Sequence, residues 1–416
     1  MFKNNLKLRN IFLLAIMTMS SLGFILIMLL SNIYMLDKSE LFKKETWITN
    51  PNDVIIDSSE ITFSDQELED VQISLTKQSL FYYEQLSKEE KDIFDFIYLN
   101  IKNRKEKIEF EEPISINFLT KIVYILKFDC PEFYFLGDSF DYDVKGKKAV
   151  AYYPEYIIST KKYEKMQKEV DKIVEEIKIL VEGKTEYEAE LIIHNYIVQN
   201  CLYTIETTNC NNLYGCLIEG KANCEGYSSA FMYLLRQVGI EATQVIGEIN
   251  YNNEIIGHSW NLVKIDGEYY YTDVCWNDLE NTPEYENIGY HYAFFNITYK
   301  EMENHRDTSK NIEYLGTIPE ATATKLNYYK KSNLFASSVD DAEKIIEERL
   351  PSVISSNDSF LVIKCNGKEV YDELLENITN IMQKTINENK LAITKCKYAK
   401  IQNGYTLIIH SFSYSK

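Results

Sequence analysis

Apolar residues recur at helical spacing after Asn223, a residue type that favours the position just before a helix. The apolar side chains of this stretch are Tyr227, Phe231, Leu234, Leu235 and Val238. Gly239 follows them, and glycine is common directly after the end of a helix. The pattern therefore predicts an amphipathic helix that begins at Cys224.

An alternating pattern further along the chain predicts a β-hairpin. Its arms are His258–Ile265 and Glu268–Trp276, and Asp266-Gly267 between them suits a two-residue turn. A turn of that length sets three pairs: Ile265 with Glu268, Trp260 with Asp273, and His258 with Cys275. His258 and Asp273 would then be diagonal neighbours on one face of the sheet, about 7–8 Å apart.

Capping sequences and periodic apolar residues also predict helices ahead of this region. Ser87–Glu90 and Thr185–Glu188 each have the spacing of a capping box at the start of a periodic stretch. A further helical pattern spans residues 161–180. We expect residues 76–184 to form a helix-rich N-terminal lobe. His194 lies off the apolar stripe of its helix, and we place it at the surface.

The pattern changes after about residue 320, where strand and helix signals alternate. The predicted elements are a strand at Leu326–Ser338, a helix at Asp340–Leu350, a strand at Phe360–Cys365, a helix at Tyr371–Ile386 and a hairpin turning at Asn403-Gly404. Residues 320–416 are therefore expected to form a small α/β domain. This segment has no catalytic group of residues, so we assign it a binding or spacer role.

An apolar stretch near the N-terminus, residues 11–30, is long enough to span a membrane as a helix. Basic residues precede it and acidic residues follow it, which orients residues 1–10 towards the cytoplasm and the remainder outwards. We predict a retained anchor, and a cleaved signal peptide is the alternative. The polar residues 31–75 are expected to form a stalk that separates the anchor from the folded part.

Charge argues against one class of partner. The 416 residues have a formal net charge of −19, and no basic cluster occurs beyond the N-terminus. Binding to phosphate backbones requires a positive face, so we do not expect a nucleic-acid partner. The acidic surface is better explained by solubility.

Cys224 is the residue best placed to act as a nucleophile. A cysteine in the first turn of a helix lies beside unpaired N–H groups, which favour the thiolate. His258 could take the thiol proton, and Asp273 could hold the ring in one tautomer. A lone cysteine is often only a small buried apolar residue, and a lone histidine is often a core residue. Their combined placement nevertheless predicts a Cys224, His258, Asp273 triad.

The surrounding residues suggest further roles in this site. The backbone N–H of Cys224 is a natural donor to an oxyanion, and Tyr203, Tyr214 and Asn223 are candidates for the second donor. Trp260, which the hairpin register places opposite Asp273, could shield the carboxylate from water, although core packing explains it almost as well.

The other cysteines do not predict a metal centre. Cys201, Cys210 and Cys216 lack the spacing of zinc ligands, and no paired histidines follow them. We therefore expect neither a metal nor an organic cofactor. An exported chain could form disulfides, but Cys224 must be free in the active protein. Cys275 has two interpretations, an unreactive thiol that fills space or the partner of Cys224 in a reversible disulfide.

Several short runs resemble the transglutaminase-like superfamily, specifically its bacterial members. They are Cys224-Glu-Gly-Tyr227, Val238-Gly-Ile240, Val245-Ile-Gly247, His258-Ser-Trp-Asn-Leu-Val263 and Tyr271-Thr-Asp-Val-Cys-Trp276. The resemblance implies an α+β fold with a papain-like transglutaminase core at residues 185–315, preceded by the helix-rich lobe and followed by the small α/β domain. It also implies that Cys224, His258 and Asp273 are catalytic. Cys275 departs from the family pattern, since many relatives have threonine there.

The resemblance further implies an enzyme that acts on amide bonds through an acyl-enzyme. Water as acceptor would make it a peptidase or amidase, and a lysine amine would make it a cross-linking enzyme. The expected partner is a protein or peptide substrate, with cell-wall-associated amides among the alternatives. Trp260, Cys275 and Trp276 are expected beside the triad. The competing hypothesis is a catalytically silent binding module at the cell surface.

Overall fold

The computed structural model describes residues 80–251, 254–279, 290–303, 306–356 and 360–414. All of them belong to one compact unit. The predicted cytoplasmic tail, membrane anchor and stalk, residues 1–10, 11–30 and 31–75, lie outside the described ranges. Among the described residues, no helix has the length and apolarity needed to cross a membrane.

The part of the chain before the core contains three long helices and one antiparallel sheet. Its elements are α1 (Lys88–Lys102), β1 (Ile108–Ser115), α2 (Ile116–Asp129), β2 (Leu136–Lys145), β3 (Lys148–Tyr156) and α3 (Thr160–Val181). The capping box at Ser87 and Glu90 forms as predicted. The three strands form a sheet in the order β1-β3-β2.

In the core, the helix that begins at Cys224 packs against a four-stranded sheet and several further helices. The elements of the core are α4 (Glu186–Asn200), β4 (Leu202–Tyr203), β5 (Lys221–Ala222), α5 (Cys224–Gln237), β6 (Glu241–Tyr251), β7 (Glu254–Ile265), β8 (Glu268–Thr272), α6 (Val274–Asn277), α7 (Tyr299–Glu303), β9 (Arg306–Asp307) and α8 (Ser309–Tyr314). The sheet order is β8-β7-β6-β9, with antiparallel neighbours throughout.

Helix α5 begins and ends where the sequence predicts, but it is buried more completely. Every residue from 226 to 235 is buried, including Ser228 and Ser229. The Ser228 hydroxyl is accommodated because polar side chains of β7 face the helix. Ser259 Oγ lies 2.8 Å from Ser228 Oγ, and Asn261 Nδ2 donates to the carbonyl oxygen of Ser228 at 2.9 Å.

The predicted hairpin forms with the predicted turn but with a shorter second arm. Ile265 pairs with Glu268, and both turn residues have positive φ, 50° at Asp266 and 83° at Gly267. Strand β8 then ends at Thr272, and α6 begins directly after Asp273. The prediction that a strand continues to Trp276 and places Cys275 opposite His258 is therefore wrong.

The physical reason for the early end of β8 is a side-chain cap. Asp273 Oδ1 accepts a hydrogen bond from the backbone N–H of Trp276 at 3.0 Å, which turns the chain into a short helix. The N–H of Asp273 donates to the carbonyl oxygen of Phe294 at 2.8 Å, outside the hairpin ladder.

The last part of the chain forms a further four-stranded sheet, the C-terminal sheet, which is covered by two helices. Its elements are α9 (Tyr328–Lys331), β10 (Phe335–Ala336), α10 (Val339–Ser356), β11 (Phe360–Cys365), α11 (Lys368–Glu388), β12 (Ile393–Ile401) and β13 (Thr406–Tyr414). The order is β10-β11-β13-β12, and only the β10–β11 pair is parallel. The predicted strand at Leu326–Ser338 is mostly wrong, because Asn327 caps a helix instead by accepting from Tyr329 and Lys330.

The C-terminal sheet is packed on both of its faces. Leu361 and Ile363 face α10 and α11, whereas Val362 between them packs with Tyr329 and Leu279. Alternate residues of a strand point to opposite faces, so β11 contacts its own helices on one side and residues outside the sheet on the other.

Candidate active site

Cys224 is the first residue of α5 and is partly exposed. Asn223 caps the helix, because its Oδ1 accepts from the N–H groups of Glu225 at 3.0 Å and Gly226 at 3.2 Å. The cap therefore occupies neither the thiol nor the N–H of Cys224. A reachable sulfur at a helix N-terminus is the placement expected of a nucleophile.

A close backbone approach holds this end of α5 in place. The N–H of Asn223 donates to the carbonyl oxygen of Cys210 at 2.7 Å. Gly226, one turn further, has no side chain because a Cβ there would lie 2.4 Å from the same oxygen. The glycine is thus required by space inside a helix, where it would otherwise be unfavourable.

His258 lies in β7 between the thiol and the carboxylate. Its Nε2 is 2.8 Å from Asp273 Oδ2, and the Cys224 side chain is in hydrogen-bond contact with the ring. Because Nε2 is engaged with Asp273, Nδ1 is the nitrogen left for the sulfur. The structure brings together all three residues that the sequence placed in the triad.

Asp273 is fully buried and holds three hydrogen-bond donors: His258, Arg306 and the backbone N–H of Trp276. Burial disfavours the charged carboxylate, but the charges of His258 and Arg306 outweigh it and lower the pKa of Asp273 to about 2. The residue is therefore an anion at neutral pH.

The electrostatics of His258 follow from this anion. Burial opposes the charged ring, but the attraction of Asp273, its hydrogen bond and the Cys224 side chain raise the pKa of His258 to about 9. The ring is thus a cation at neutral pH. An imidazolium beside the sulfur favours negative charge on that sulfur.

Arg306 is the member of this site that the sequence analysis missed. Its Nη2 donates to Asp273 Oδ2, and its guanidinium lies 4.3 Å from the Trp276 ring and 5.0 Å from the Phe294 ring. Its side chain is fully buried. Since β9 has only two residues and pairs far away in sequence with β6, no local pattern could have indicated the contact.

The three charged groups leave the site one unit positive. His258 and Arg306 are cations and Asp273 is the single anion among them. All three are buried, so water screens their charges only weakly. A thiolate on Cys224, or an oxyanion formed next to it, would balance the excess.

A comparison with known families is consistent with this geometry. Residues 173–274 match the transglutaminase-like superfamily, and the matched segment contains Cys224, His258 and Asp273. The chain has a transglutaminase-like core. No curated protein matches the sequence.

Three solved structures match parts of this chain. A "putative cysteine protease" from Cytophaga hutchinsonii is 20% identical over 25% of this chain and 37% of its own, with a TM-score of 0.23. A "TGase" is 14% identical over 40% of this chain and 50% of its own, at 0.24. A "putative protease" from Parabacteroides distasonis is 11% identical over 32% and 35%, at 0.21. The matches thus span about a third to a half of those proteins.

Two tryptophans flank the histidine of the transglutaminase-like core, as the sequence suggested. The ring centroids of Trp260 and Trp276 lie 5.9 Å and 5.4 Å from that of His258. Trp260 is 1% exposed. Arg306 contacts both indole rings and Asp273. The two tryptophans therefore pack against both cations that pair with Asp273.

Cys275 lies on α6 and is a free thiol, like the other seven cysteines. Burial, together with the neighbouring Cys224 and Asp273, raises the pKa of Cys275 well above its ordinary value. The thiol is therefore neutral at physiological pH. A reversible disulfide between Cys275 and Cys224 stays a prediction.

Of the three side chains considered for an oxyanion donor, only Tyr203 lies beside the thiol. Burial raises the pKa of its hydroxyl, with further contributions from Cys224 and Cys275. The pairing of Tyr203 with Ala222 in β4 and β5 brings it to this position. Tyr214 instead donates to Glu169 at 2.6 Å, and Asn223, whose Oδ1 forms the helix cap, directs its donor Nδ2 at Cys210 Sγ, 3.9 Å away.

The prediction that His194 lies at the surface is wrong. The residue is fully buried, its Nε2 is 3.0 Å from Asn277 Nδ2, and its ring packs on Phe295. Burial lowers the pKa of His194 to about 4, so the ring is neutral. The apolar stripe of α4 alone did not predict this burial, because residues outside the stripe, including His194, are also covered by other parts of the fold.

The described residues contain no group of three or more histidine, cysteine, aspartate or glutamate side chains arranged to hold a metal.

Proposed function

We propose that this protein is a thiol enzyme that cleaves amide bonds through an acyl-enzyme on Cys224. The observation that carries the proposal is the position of His258, in contact with Cys224 on one side and 2.8 Å from Asp273 on the other. A charged imidazole held by a buried carboxylate is the arrangement that activates a nucleophile next to it.

The proposed reaction has two steps. The Cys224 sulfur attacks the amide carbonyl, a C–S bond forms, and the C–N bond breaks as His258 gives its proton to the leaving amine. A second nucleophile then gives a proton to His258 and attacks the thioester carbonyl. The C–S bond breaks, the acyl product leaves, and Cys224 returns as a thiolate beside the protonated ring. The N–H of Cys224 and the hydroxyl of Tyr203 are the proposed oxyanion donors.

We favour water as the second nucleophile, which makes the protein a peptidase or amidase. A lysine amine would instead give protein cross-linking by the same acyl-enzyme. Running the reaction in 18O-labelled water with an added alkyl diamine separates the two, since hydrolysis places 18O in the new carboxylate and transfer yields the amide of the diamine.

We also propose that the enzyme is tethered to the outer face of a membrane and acts on peptide or cell-wall-associated amides. The support is the apolar stretch at residues 11–30 and the basic residues before it. Cell fractionation tests the tether. The full chain should sediment with membranes, and a chain lacking residues 1–30 should not.

Thiol labelling tests the catalytic assignment. Brief treatment with iodoacetamide at about pH 7, where ordinary thiols are mostly protonated, should modify Cys224 at least about tenfold faster than Cys210 or Cys396. These two thiols are also partly exposed and serve as controls in the same digest. His258→Ala should bring Cys224 down to their rate.

The competing hypothesis, a binding module without catalysis, makes the opposite prediction. Cys224 would then react no faster than Cys210 in the wild-type protein, and His258→Ala would change nothing. His410→Ala, which removes a histidine of the C-terminal sheet, controls for a general effect of losing an imidazole.

A further inference from the structure

A cavity of about 840 Å³ lies at the opposite end of helix α5 from the thiol. Tyr233 and Arg236 in the last turn of α5 line it, whereas Cys224 begins the helix. A helix of 14 residues is about 20 Å long at 1.5 Å per residue. The cavity is therefore a separate site and not an extension of the active-site cleft.

Aromatic rings form much of the cavity wall. Tyr98 packs on Phe133 with centroids 4.8 Å apart, and Phe135 packs on Tyr163 at 4.8 Å. The hydroxyl of Tyr163 donates to the carbonyl oxygen of Glu132 at 3.1 Å. A pocket of this size with packed aromatic walls and a few polar groups is typical of small-molecule sites.

Arg104 enters this cavity from an unusual backbone conformation. It follows Asn103, the cap residue at the end of α1, and has a φ of +58°, a region where glycine or asparagine is usual. Its guanidinium carbon lies 3.3 Å from the centroid of Phe135. This conformation closes α1, since the N–H of Arg104 donates to the carbonyl oxygen of Ile101 at 2.9 Å and the N–H of Lys105 donates to that of Asn100 at 3.0 Å.

One nitrogen of Arg104 is left without an acceptor. Nη1 donates to the carbonyl oxygen of Ile158 at 3.0 Å, but the buried Nη2 has no hydrogen-bond partner among the described residues. A buried N–H of a cation that lacks an acceptor is costly. Nη2 has almost no accessible surface in this conformation, so a ligand oxygen in the cavity would satisfy this donor once the guanidinium turns towards it.

A second arginine of the same cavity shows the contrast. Arg236 donates through Nε to Ala242 at 2.8 Å, through Nη1 to the carbonyl oxygen of Asp129 at 2.7 Å, and through Nη2 to the Asp129 carboxylate at 3.0 Å. Its charge and donors are satisfied by the protein itself. Arg104 is the arginine available to an incoming group.

Two further charged groups define what the cavity would accept. Lys102 adds a positive charge beside Arg104, and Glu132 lines the same space. Burial raises the pKa of Glu132 to about 7 against the effect of Lys102 and Arg236. Glu164 and Glu241 add negative charge to the lining, which disfavours a dianion such as phosphate.

We propose that this cavity binds an amino acid or short peptide through its free carboxylate. The carboxylate would accept from Arg104 and Lys102, an apolar side chain would lie among the rings of Tyr98, Tyr163 and Tyr233, and the ligand's amine would meet Glu132. This combination uses the unsatisfied donor, the aromatic wall and the nearby acid together. The inference stands on the cavity and does not depend on the proposed reaction.

Calorimetric titration of the full-length protein tests the proposal, with phenylalanine, N-acetylphenylalanine, phenylalanine amide and inorganic phosphate as probes. Phenylalanine should bind. Its acetylated form, which keeps the carboxylate but loses the charged amine that meets Glu132, should bind more weakly. The amide, which lacks the carboxylate, should bind at least about tenfold more weakly than phenylalanine. Prior alkylation of Cys224 with iodoacetamide should leave this binding intact, because the two sites lie at opposite ends of α5.

Arg104→Asn is the decisive variant, since asparagine tolerates positive φ and should preserve the fold. It should weaken phenylalanine binding by about tenfold or more. Arg349→Asn, on the remote helix α10, is the matched control and should bind like the wild type. Lys102→Ala, at an exposed position, provides a second variant that removes charge without disturbing packing.

Four results would each overturn the proposal. The first is the absence of saturable binding up to about 10 mM phenylalanine. The second is equal affinity of the wild type and Arg104→Asn for phenylalanine when both proteins have the same melting temperature. The third is loss of phenylalanine binding after alkylation of Cys224, and the fourth is binding of phosphate at least as tight as that of phenylalanine.

Discussion

At the scale of single residues, the site is governed by one buried carboxylate shared by two cations. Asp273 accepts from His258 and from Arg306 on the same oxygen, Oδ2. Removing either cation would leave buried charge less well compensated, which is costly. His258 therefore has two roles, as the proposed proton carrier and as part of the ion pair that stabilises the fold.

The dual role of His258 predicts a pH-dependent contribution to stability. The pKa of the ring is about 9 in the folded protein against 6.5 for an ordinary histidine. Because the pKa is raised, the stabilisation is fully present below about pH 6.5 and is lost as the pH rises through about 9. The gap in unfolding free energy between wild type and His258→Gln should shrink by about 3 kcal/mol over this range.

Urea denaturation of both proteins at about pH 6 and about pH 10 measures this gap. Titration of lysines and tyrosines affects both chains alike, so the difference isolates His258. A gap of the same size at both pH values would contradict the raised pKa.

At the scale of elements, the position of the thiol depends on how closely α5 approaches the loop that contains Cys210. The contact requires Gly226, whose missing Cβ leaves room for the carbonyl oxygen of Cys210. The asparagine cap and this contact together determine where the first turn begins. The geometry of the site is thus set only two residues along the helix from the reacting cysteine.

Gly226→Ala should therefore destabilise the protein although alanine is the better helix former. A Cβ would lie 2.4 Å from the Cys210 oxygen and 2.8 Å from the Ala222 Cβ, so the helix start must shift. We expect a loss of about 1–3 kcal/mol in the free energy of unfolding. Labelling of Cys224 should slow as well, because the sulfur moves relative to His258.

The matched control is Gly257→Ala, where an added Cβ meets nothing within 4 Å although the residue adjoins His258. It should change the free energy of unfolding by less than about 0.5 kcal/mol. Equal effects of the two substitutions would show that close packing at Gly226 is not what holds the helix.

At the scale of the whole molecule, a buried lysine joins the C-terminal sheet to the core. Lys364 of β11 is 2% exposed, and its Nζ donates to the carbonyl oxygens of Ala293 at 2.8 Å and Gly404 at 3.2 Å. Its partner in an ion pair is Glu301 at 3.3 Å. Ala293 adjoins Phe294, which packs on Trp276 and Arg306, so the C-terminal sheet supports the wall behind Asp273.

Lys364→Met tests this connection, since methionine keeps most of the side-chain volume but removes the charge and the donors. We expect a loss of about 2–3 kcal/mol in the free energy of unfolding, because the two carbonyl groups and Glu301 lose their partner. Thermal unfolding followed by circular dichroism gives the measurement.

Lys384→Met is the matched control, because Lys384 pairs with Glu343 and Glu347 at the surface of the same sheet's helices. Exposed ion pairs contribute little, so its effect should be far smaller than that of Lys364→Met. A loss as large for Lys384 would indicate that the buried contacts of Lys364 are not the cause.

The sequence by itself determined the features that depend on neighbouring residues. Asn223 and Gly239 predicted both ends of α5, the Asp266-Gly267 turn predicted the register at Ile265 and Glu268, and the capping box at Thr185 formed as expected. These features could be predicted because caps and tight turns involve hydrogen bonds and φ values within a few residues.

Only the tertiary structure decided the features that depend on distant parts of the chain. Strand β8 stops at Thr272 because Asp273 caps a turn and its N–H donates to the carbonyl oxygen of Phe294. His194 is buried by contact with Phe295, which is distant in sequence. Arg306 reaches Asp273 because β9 pairs with β6. Burial and long-range pairing arise from packing of the whole fold. A local sequence pattern therefore does not indicate which distant side chain will pair with a buried charge.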